Sequence, residues 1–136
     1  MEMQTEERMK LAKTAQRLRR YRETAAAAAV LEEKMAGLRE TAAACRRMKT
    51  SAAERAHLRA SYRQTAKQLS LCRTETRQVE RALAELSMEE RHVLSDMLIA
   101  PVPMAADGLC EKLNVEMATV YRRRKSALKK MTALLD

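Results

Sequence analysis

The stretch LCEKLNVEMATVYRRRKSALKKM, from Leu109 to Met131, decides how the end of this chain folds. A short amphipathic segment, Leu109 to Leu113, stops at Asn114, a residue type that tolerates a left-handed backbone. A longer helical pattern then runs from about Glu116 to Leu135. Two helices joined by a tight turn are typical of a helix-turn-helix, in which a scaffold helix precedes a recognition helix.

The charge of the last helix indicates what it contacts. From Met117 to Leu135 there are six Lys or Arg and no acid, and the whole chain has a net charge of +9. A cationic helix behind a tight turn suits a polyanion, so we expect double-stranded DNA as the partner. The alternative is a surface helix that is basic without binding anything.

Composition predicts an all-α fold. The 136 residues include no Phe or Trp, two Gly and two Pro, while Ala, Leu, Met, Arg, Lys and Glu, which favour helices, dominate. No segment has the apolar length needed to cross a bilayer, and the charged N-terminus does not resemble a signal peptide. Cys45, Cys72 and Cys110 are widely spaced, which predicts reduced thiols in a cytoplasmic protein.

No catalytic, cofactor-binding or metal-binding residue is predicted. His57 and His92 lie in helical stretches without partnered acids or cysteines, and there is no GxSxG, P-loop or HExxH pattern. Only Gly37 and Gly108 are glycines, too few for a phosphate-binding loop. We therefore expect a binding protein and not an enzyme.

Two long helices are predicted before the terminal domain. Residues 1–50 show apolar or small residues in steps of three or four, from Leu11 to Met48. Ser51 followed by Glu54 forms a capping box, which favours a new helix start there over one uninterrupted helix. Residues 51–86 then carry an apolar seam with steps of four and three: Leu58, Tyr62, Thr65, Leu69, Cys72, Thr76, Val79, Leu83 and Leu86.

That seam leaves two arrangements open. It packs on the first helix as an antiparallel hairpin, or on another subunit as a coiled-coil dimer. We expect self-association, because a homodimer through the long helices would double the DNA contacts of a single recognition helix.

Residues 87–116 open the terminal domain, which spans 87–136. Ser87 and Glu90 form a second capping box, before a helix from Met88 to about Ile99 that Pro101 and Pro103 terminate. Its inward residues should be Val93, Leu94, Met97 and Leu98. The net charge of 87–116 is −4, from two basic and six acidic residues, so the acids should confine DNA to the recognition helix.

The faces of the last helix follow from helical spacing. If Val120 is buried, Ala127, Leu128 and Met131 share its side, while Ala118, Arg122, Lys125 and Lys129 lie opposite. Early residues of an inserted helix read base edges, so Arg122 is the best base-reading candidate, and Lys125 and Lys129 suit phosphates. The predicted DNA-binding residues are Thr119, Tyr121, Arg122, Arg123, Lys125 and Lys129. Arg123 and Arg124 lie at the edge of the buried side and should extend outward.

These residues carry a family resemblance. The stretch from Leu83 to Leu134 resembles sigma-factor region four and related bacterial regulators. The matching features are Leu86-Ser87 before Glu90-Arg91-His92-Val93-Leu94, the scaffold segment Leu109–Leu113, the opening Thr119-Val120-Tyr121-Arg122, and Ala127-Leu128. With two long helices in front, the chain resembles the RinA/ArpU-type phage transcriptional regulators. Asn114 stands where that pattern usually has the turn glycine, and Gly108 where it usually has an acidic residue.

The resemblance implies a sequence-specific transcriptional regulator of phage or prophage origin, which binds a promoter and contacts RNA polymerase if it activates. Two rival functions stay open. A phage DNA-packaging recognition subunit, like a small terminase, also combines a helix-turn-helix with coiled coils but forms a ring of many subunits. A structural coiled-coil adaptor would have a terminal domain that does not bind DNA.

Overall fold

The computed structural model describes the backbone of residues 2–136 and the side chains of residues 4–136. Five α-helices follow one another: α1 (Glu2–Arg47), α2 (Ala52–Ala84), α3 (Met88–Leu94), α4 (Ala105–Leu113) and α5 (Met117–Leu135). The all-α prediction is confirmed, since these described residues contain no strand. None of the described helices is long and apolar enough to span a membrane.

The break between the long helices lies at the predicted capping site. The hydroxyl oxygen of Ser51 accepts a hydrogen bond of 3.1 Å from the backbone N–H of Glu54, at the start of α2. Because only residues 48–51 separate the two helices, α2 turns back along α1. The hairpin, and not an intermolecular pair, therefore occupies the apolar seams.

The predicted seam of α2 faces inward along its length. Thr65, Leu69, Val79 and Leu86 are buried, and the other seam positions are half-buried. On α1 the matching residues Ala15, Leu18 and Met35 are buried, whereas Met48, the last of that series, is 71 % exposed. The steps of three and four residues thus predicted which sides of α1 and α2 are in contact, except at Met48, which follows the end of α1.

Contacts divide the chain into two compact units, and both long helices contribute to each. The hairpin unit comprises Glu23–Thr76. The terminal unit comprises the chain up to Arg22 together with Arg77–Asp136. In the terminal unit, one core combines residues of α1 and α2 with Leu86, which follows α2, and with residues of α3, the turn after it and α5. Its buried members are Ala15, Leu18, Val79, Ala82, Leu86, Leu94, Leu98, Ala127, Leu128 and Met131.

A smaller cluster joins the three short helices. Val93 of α3, Leu109 of α4 and Val120 of α5 are each fully buried and contact one another. Cys110, Leu113 and Val115 pack around them and are half-buried. Burial of these branched side chains, about 1.5–3 kcal/mol each, fixes α5 against α3 and α4.

The predicted capping box at Ser87 is confirmed. The hydroxyl of Ser87 accepts from the N–H of Glu90 at 3.2 Å, and the Glu90 carboxylate accepts from the N–H of Ser87 at 3.0 Å. The helix continues to Ile99 as predicted, but Ser95–Ile99 is a π-helical turn, closed by the Ala100 N–H on the Ser95 carbonyl at 2.8 Å. Leu98 is buried at this turn.

The scaffold helix is longer than its predicted span. It begins at Ala105 and not at Leu109, after Met104 in a left-handed conformation with φ 54°. The Gly108 N–H bonds the Met104 carbonyl at 3.1 Å and so belongs to the first turn. Asp107 in that turn interacts favourably with the helix dipole, and Gly108 costs the helix only about 1 kcal/mol, so the helix extends through it.

The buried seam predicts how the hairpin responds to a charge. Leu69→Asp places a carboxylate at a position only 6 % exposed, so we expect the free energy of unfolding to fall by several kcal/mol, about 3 or more. Leu71→Asp is the matched control two residues away, where the side chain is 64 % exposed. Circular dichroism melting compares them, and equal melting temperatures would contradict the seam.

Candidate nucleic-acid interface

The connection before α5 adopts the predicted turn. Asn114 is left-handed, with φ 53° and ψ 50°, and the N–H of Val115 donates to the Cys110 carbonyl at 3.1 Å. These features satisfy the C-terminal end of α4 as a glycine would. Glu116 precedes α5 in an extended conformation, and its side chain makes no cap hydrogen bond. α5 follows α4 after residues 114–116 alone.

One side of α5 is buried where helical spacing predicted it. Val120, Ala127 and Met131 are 0 % exposed, and Leu128 is 7 % exposed. Val120 belongs to the small cluster, and the other three belong to the larger core. The helix is thus held at two points along its length, so its opposite side is presented in a fixed orientation.

The opposite side is open and cationic. Arg122, Lys125 and Lys129 are all exposed, and so is Ala118. Tyr121 beside them is 49 % exposed, whereas Thr119 is half-buried. We call the exposed surface of Thr119, Tyr121, Arg122, Lys125 and Lys129 the α5 face.

Arg122 is held over the beginning of α5. Its Nη2 donates to the Thr119 hydroxyl at 3.2 Å, and its Nε lies 3.4 Å from the Ala118 carbonyl oxygen. Both partners belong to the preceding turn, so the guanidinium leans towards the helix N-terminus. That is the end from which a helix in the major groove reads base edges.

Three other cations of α5 pair with carboxylates of neighbouring helices. Arg123 Nη1 lies 2.8 Å from Glu89 Oε2, without hydrogen-bond geometry. Lys130 Nζ lies 2.9 Å from Glu90 Oε2, and Lys129 Nζ lies 3.3 Å from Glu7 Oε1. These pairs bind α5 to α3 and α1, so part of its positive charge is neutralised within the terminal unit.

The cations therefore differ in what they offer to a ligand. Arg122 and Lys125 form no ion pair with any described residue. Lys129 is exposed but paired, and Arg123 is half-buried against Glu89. Arg123 was expected to extend outward, but its Nη1 is buried and lies against a carboxylate of this chain. The six predicted DNA-binding residues all lie on one helix, and Arg122 and Lys125 are its most available charges.

Glu90 joins the capping box to α5. Burial alone would raise its pKa, but hydrogen bonds from the Ser87 backbone, Lys130 and the Ser87 hydroxyl, together with the Lys130 charge, lower that pKa below its ordinary value. A carboxylate with a lowered pKa stabilises the fold above the unfolded-state pKa. This stabilisation is lost as the pH falls through the folded-state pKa.

A second group of cations lies on α1, where Arg17, Arg19, Arg20 and Arg22 stand on either side of Tyr21. Arg17 Nη2 donates to Gln78 Oε1 at 2.9 Å, while Arg19, Arg20 and Arg22 are exposed. The Tyr21 hydroxyl donates to Glu80 Oε1 at 2.5 Å, which together with burial raises the pKa of Tyr21 to about 12. Two members of this stretch thus fasten α1 to α2.

Sequence reasoning missed the carboxylates that hold α5. Glu7 and Glu90 lie 122 and 40 positions before Lys129 and Lys130, and no local pattern relates such distant charges. The opposite signs of segments 87–116 and 117–136 were the one available signal.

The Glu90 network predicts a pH-dependent stability. Glu90→Gln should lower the free energy of unfolding by about 1 kcal/mol at pH 7, because the charge-assisted bonds to Ser87 and Lys130 weaken. The parent loses the same charge as the pH falls below 4.5 and through the lowered folded-state pKa of Glu90, so the difference should shrink. Chemical denaturation at pH 7 and pH 3 measures it. Glu111→Gln, at an exposed carboxyl, is the control and should differ little at either pH.

Comparison of the chain with protein-family models, curated proteins and solved structures gave no match. The function of the α5 face is therefore inferred from its own side chains and their surroundings.

Proposed function

We propose that this chain binds double-stranded DNA through the α5 face and acts as a sequence-specific transcriptional regulator of phage or prophage type. The observation that carries the proposal is the division of charge on α5. Arg123 and Lys130 at its edges pair with Glu89 and Glu90, and Lys129 on the α5 face pairs with Glu7. Arg122 and Lys125 are exposed without ion pairs among the described residues. Ion pairs within the fold therefore account for Arg123, Lys129 and Lys130 but not for the charges of Arg122 and Lys125.

The proposed contacts divide into base reading and phosphate binding. Arg122 leans towards the helix N-terminus, where a guanidinium makes a bidentate contact with guanine in the major groove. Lys125 and Lys129 follow at one-turn intervals on the same side and bind phosphates. Thr119 and Tyr121 offer hydroxyls beside them, although the Thr119 hydroxyl already accepts from Arg122.

Transcriptional regulation rests on the sequence resemblance to sigma-factor region four and the RinA/ArpU-type regulators. In this proposal the chain acts in the cytoplasm of a bacterial host, occupies a promoter and, as an activator, contacts RNA polymerase. The exposed acids Asp107, Glu111 and Glu116 on and after α4 repel DNA phosphates, which restricts the duplex to the α5 face.

The first test separates base reading from phosphate binding. A site is selected from a random duplex library with the purified chain, and gel shifts are run at several salt concentrations. Arg122→Ala should weaken binding to the selected site by about 1–3 kcal/mol. Lys125→Ala and Lys129→Ala should each weaken all sequences alike and lower the salt slope by about one.

Glu7 supplies a complementary variant. Glu7→Gln removes the carboxylate that competes for Lys129, so DNA affinity should rise if Lys129 contacts a phosphate. For Lys125→Ala and Lys129→Ala, the matched control is Lys34→Ala, which removes one exposed cation from the hairpin unit. If the α5 variants bind as the parent does, or if no salt-sensitive binding is seen, the chain is better described as a structural adaptor.

Self-association is a separate part of the proposal. The seams of α1 and α2 contact each other within the chain, so a homodimer of the hairpin would use other surfaces, such as exposed Val30 and Leu71. We expect sedimentation equilibrium to show a dimer at tens of micromolar, and footprints to show paired half-sites about one helical turn apart. A monomer with one half-site would exclude the dimer, and a ring of many subunits in light scattering would favour DNA packaging.

A further inference from the structure

We propose that the end of the helical hairpin is a docking groove for an acidic, amphipathic helix of a partner protein. The groove lies wholly within the hairpin unit and is independent of the α5 face. It has a volume of about 750 Å³ and is lined by the end of α1, the connection and the first turns of α2. We call it the tip groove.

The floor of the tip groove is apolar. Ala42, Cys45, Met48 and Leu58 form it, and Met48 is 71 % exposed. A smaller hollow adjoins the tip groove along the hairpin and is lined by Leu38, Ala42, Leu58 and Tyr62. From Leu38 to Met48 the floor follows α1 for about 15 Å, which equals the length of about ten residues of helix. An amphipathic helix is thus an occupant of suitable length.

Cations surround this floor. Arg46, Lys49, Arg55 and Arg59 line the groove, and Arg63 extends the series along the adjoining hollow. From Cys45 to Arg63 there are six basic residues and one acid. The acid, Glu54, lines an adjoining hollow with Thr41 and His57, and that hollow shares Cys45 and Leu58 with the tip groove. Cations predominate around the tip groove, which favours an acidic partner.

The apolar floor favours a peptide over a nucleic acid as the occupant. A phosphate backbone gains from the cations but has nothing to bury against Cys45, Met48 and Leu58, whereas leucines on one side of an acidic helix would cover them. The two requirements, apolar contact and negative charge, are combined in an acidic amphipathic helix.

The test uses the full chain and a synthetic helical peptide of about 14 residues, made of Glu, Leu, Ala and one Trp, with leucines at i, i+3, i+4 and i+7. Since the chain has no Trp, the fluorescence of the peptide reports binding directly. The parent should bind this peptide. A version with Gln for Glu, and a version with Ser for Leu, should each bind at least about tenfold more weakly.

Variants then locate the site. Arg46→Glu with Arg59→Glu should weaken the peptide at least about tenfold, whereas Lys34→Glu with Lys67→Glu, an equal charge change at exposed positions outside the groove, should alter it less than about twofold. Met48→Ser should weaken the peptide several-fold without lowering the melting temperature, since Met48 is 71 % exposed.

Three results with the peptide would overturn the proposal: no binding by the parent, equal losses in the two double variants, or undiminished binding by Met48→Ser. A 20-base-pair duplex is titrated against the same variants. If Arg46→Glu with Arg59→Glu weakens DNA as much as it weakens peptide, the tip groove is a nucleic-acid surface and the peptide proposal fails. Duplex binding that depends on Arg122 and is unaffected by Arg46→Glu with Arg59→Glu leaves the two sites separate, as we propose.

Discussion

The burial of one side of α5 is the interaction on which the terminal unit depends. Val120 lies in the small cluster with Val93 and Leu109, while Ala127 and Met131 lie in the larger core with residues of α1, α2 and α3. Removal of these side chains from water stabilises the contact between the end of the chain and its beginning. It also determines which cations of α5 point outward, because a helix fixed along one side has no freedom to rotate.

Charge is distributed around that buried side in two ways. Arg123 and Lys130 at the edges pair with Glu89 and Glu90 of α3, and Glu90 also completes a helix cap; Lys129 on the α5 face pairs with Glu7 of α1. On the outward side, Arg122 and Lys125 are solvated and would exchange water and counterions for a ligand. Exposed pairs such as Lys129 with Glu7 contribute little to stability, so that lysine is available at small cost.

The hairpin also has a buried inner side and an open, cationic surface at its end. Its inner side is a seam of small and branched residues, interrupted by buried Thr65, so close packing replaces the large aromatic residues that the chain lacks. Where α1 ends, the seam loses its partner, and Met48 and Leu58 line an open groove instead. The same residues that a longer hairpin would bury are there combined with cations, which is why this end suits a partner molecule.

The sequence by itself determined the helices, both caps, the left-handed Asn114 and the buried side of α5, because these depend on spacing and on interactions within a few residues. It also predicted Ser51 as the break between α1 and α2. Only the tertiary structure decided that the seams pair within one chain, that Glu7 and Glu89 approach α5, and that the Arg46 region forms a groove. Each of these depends on which distant surfaces meet, and periodicity along a chain gives the direction of a side chain but not the identity of its partner.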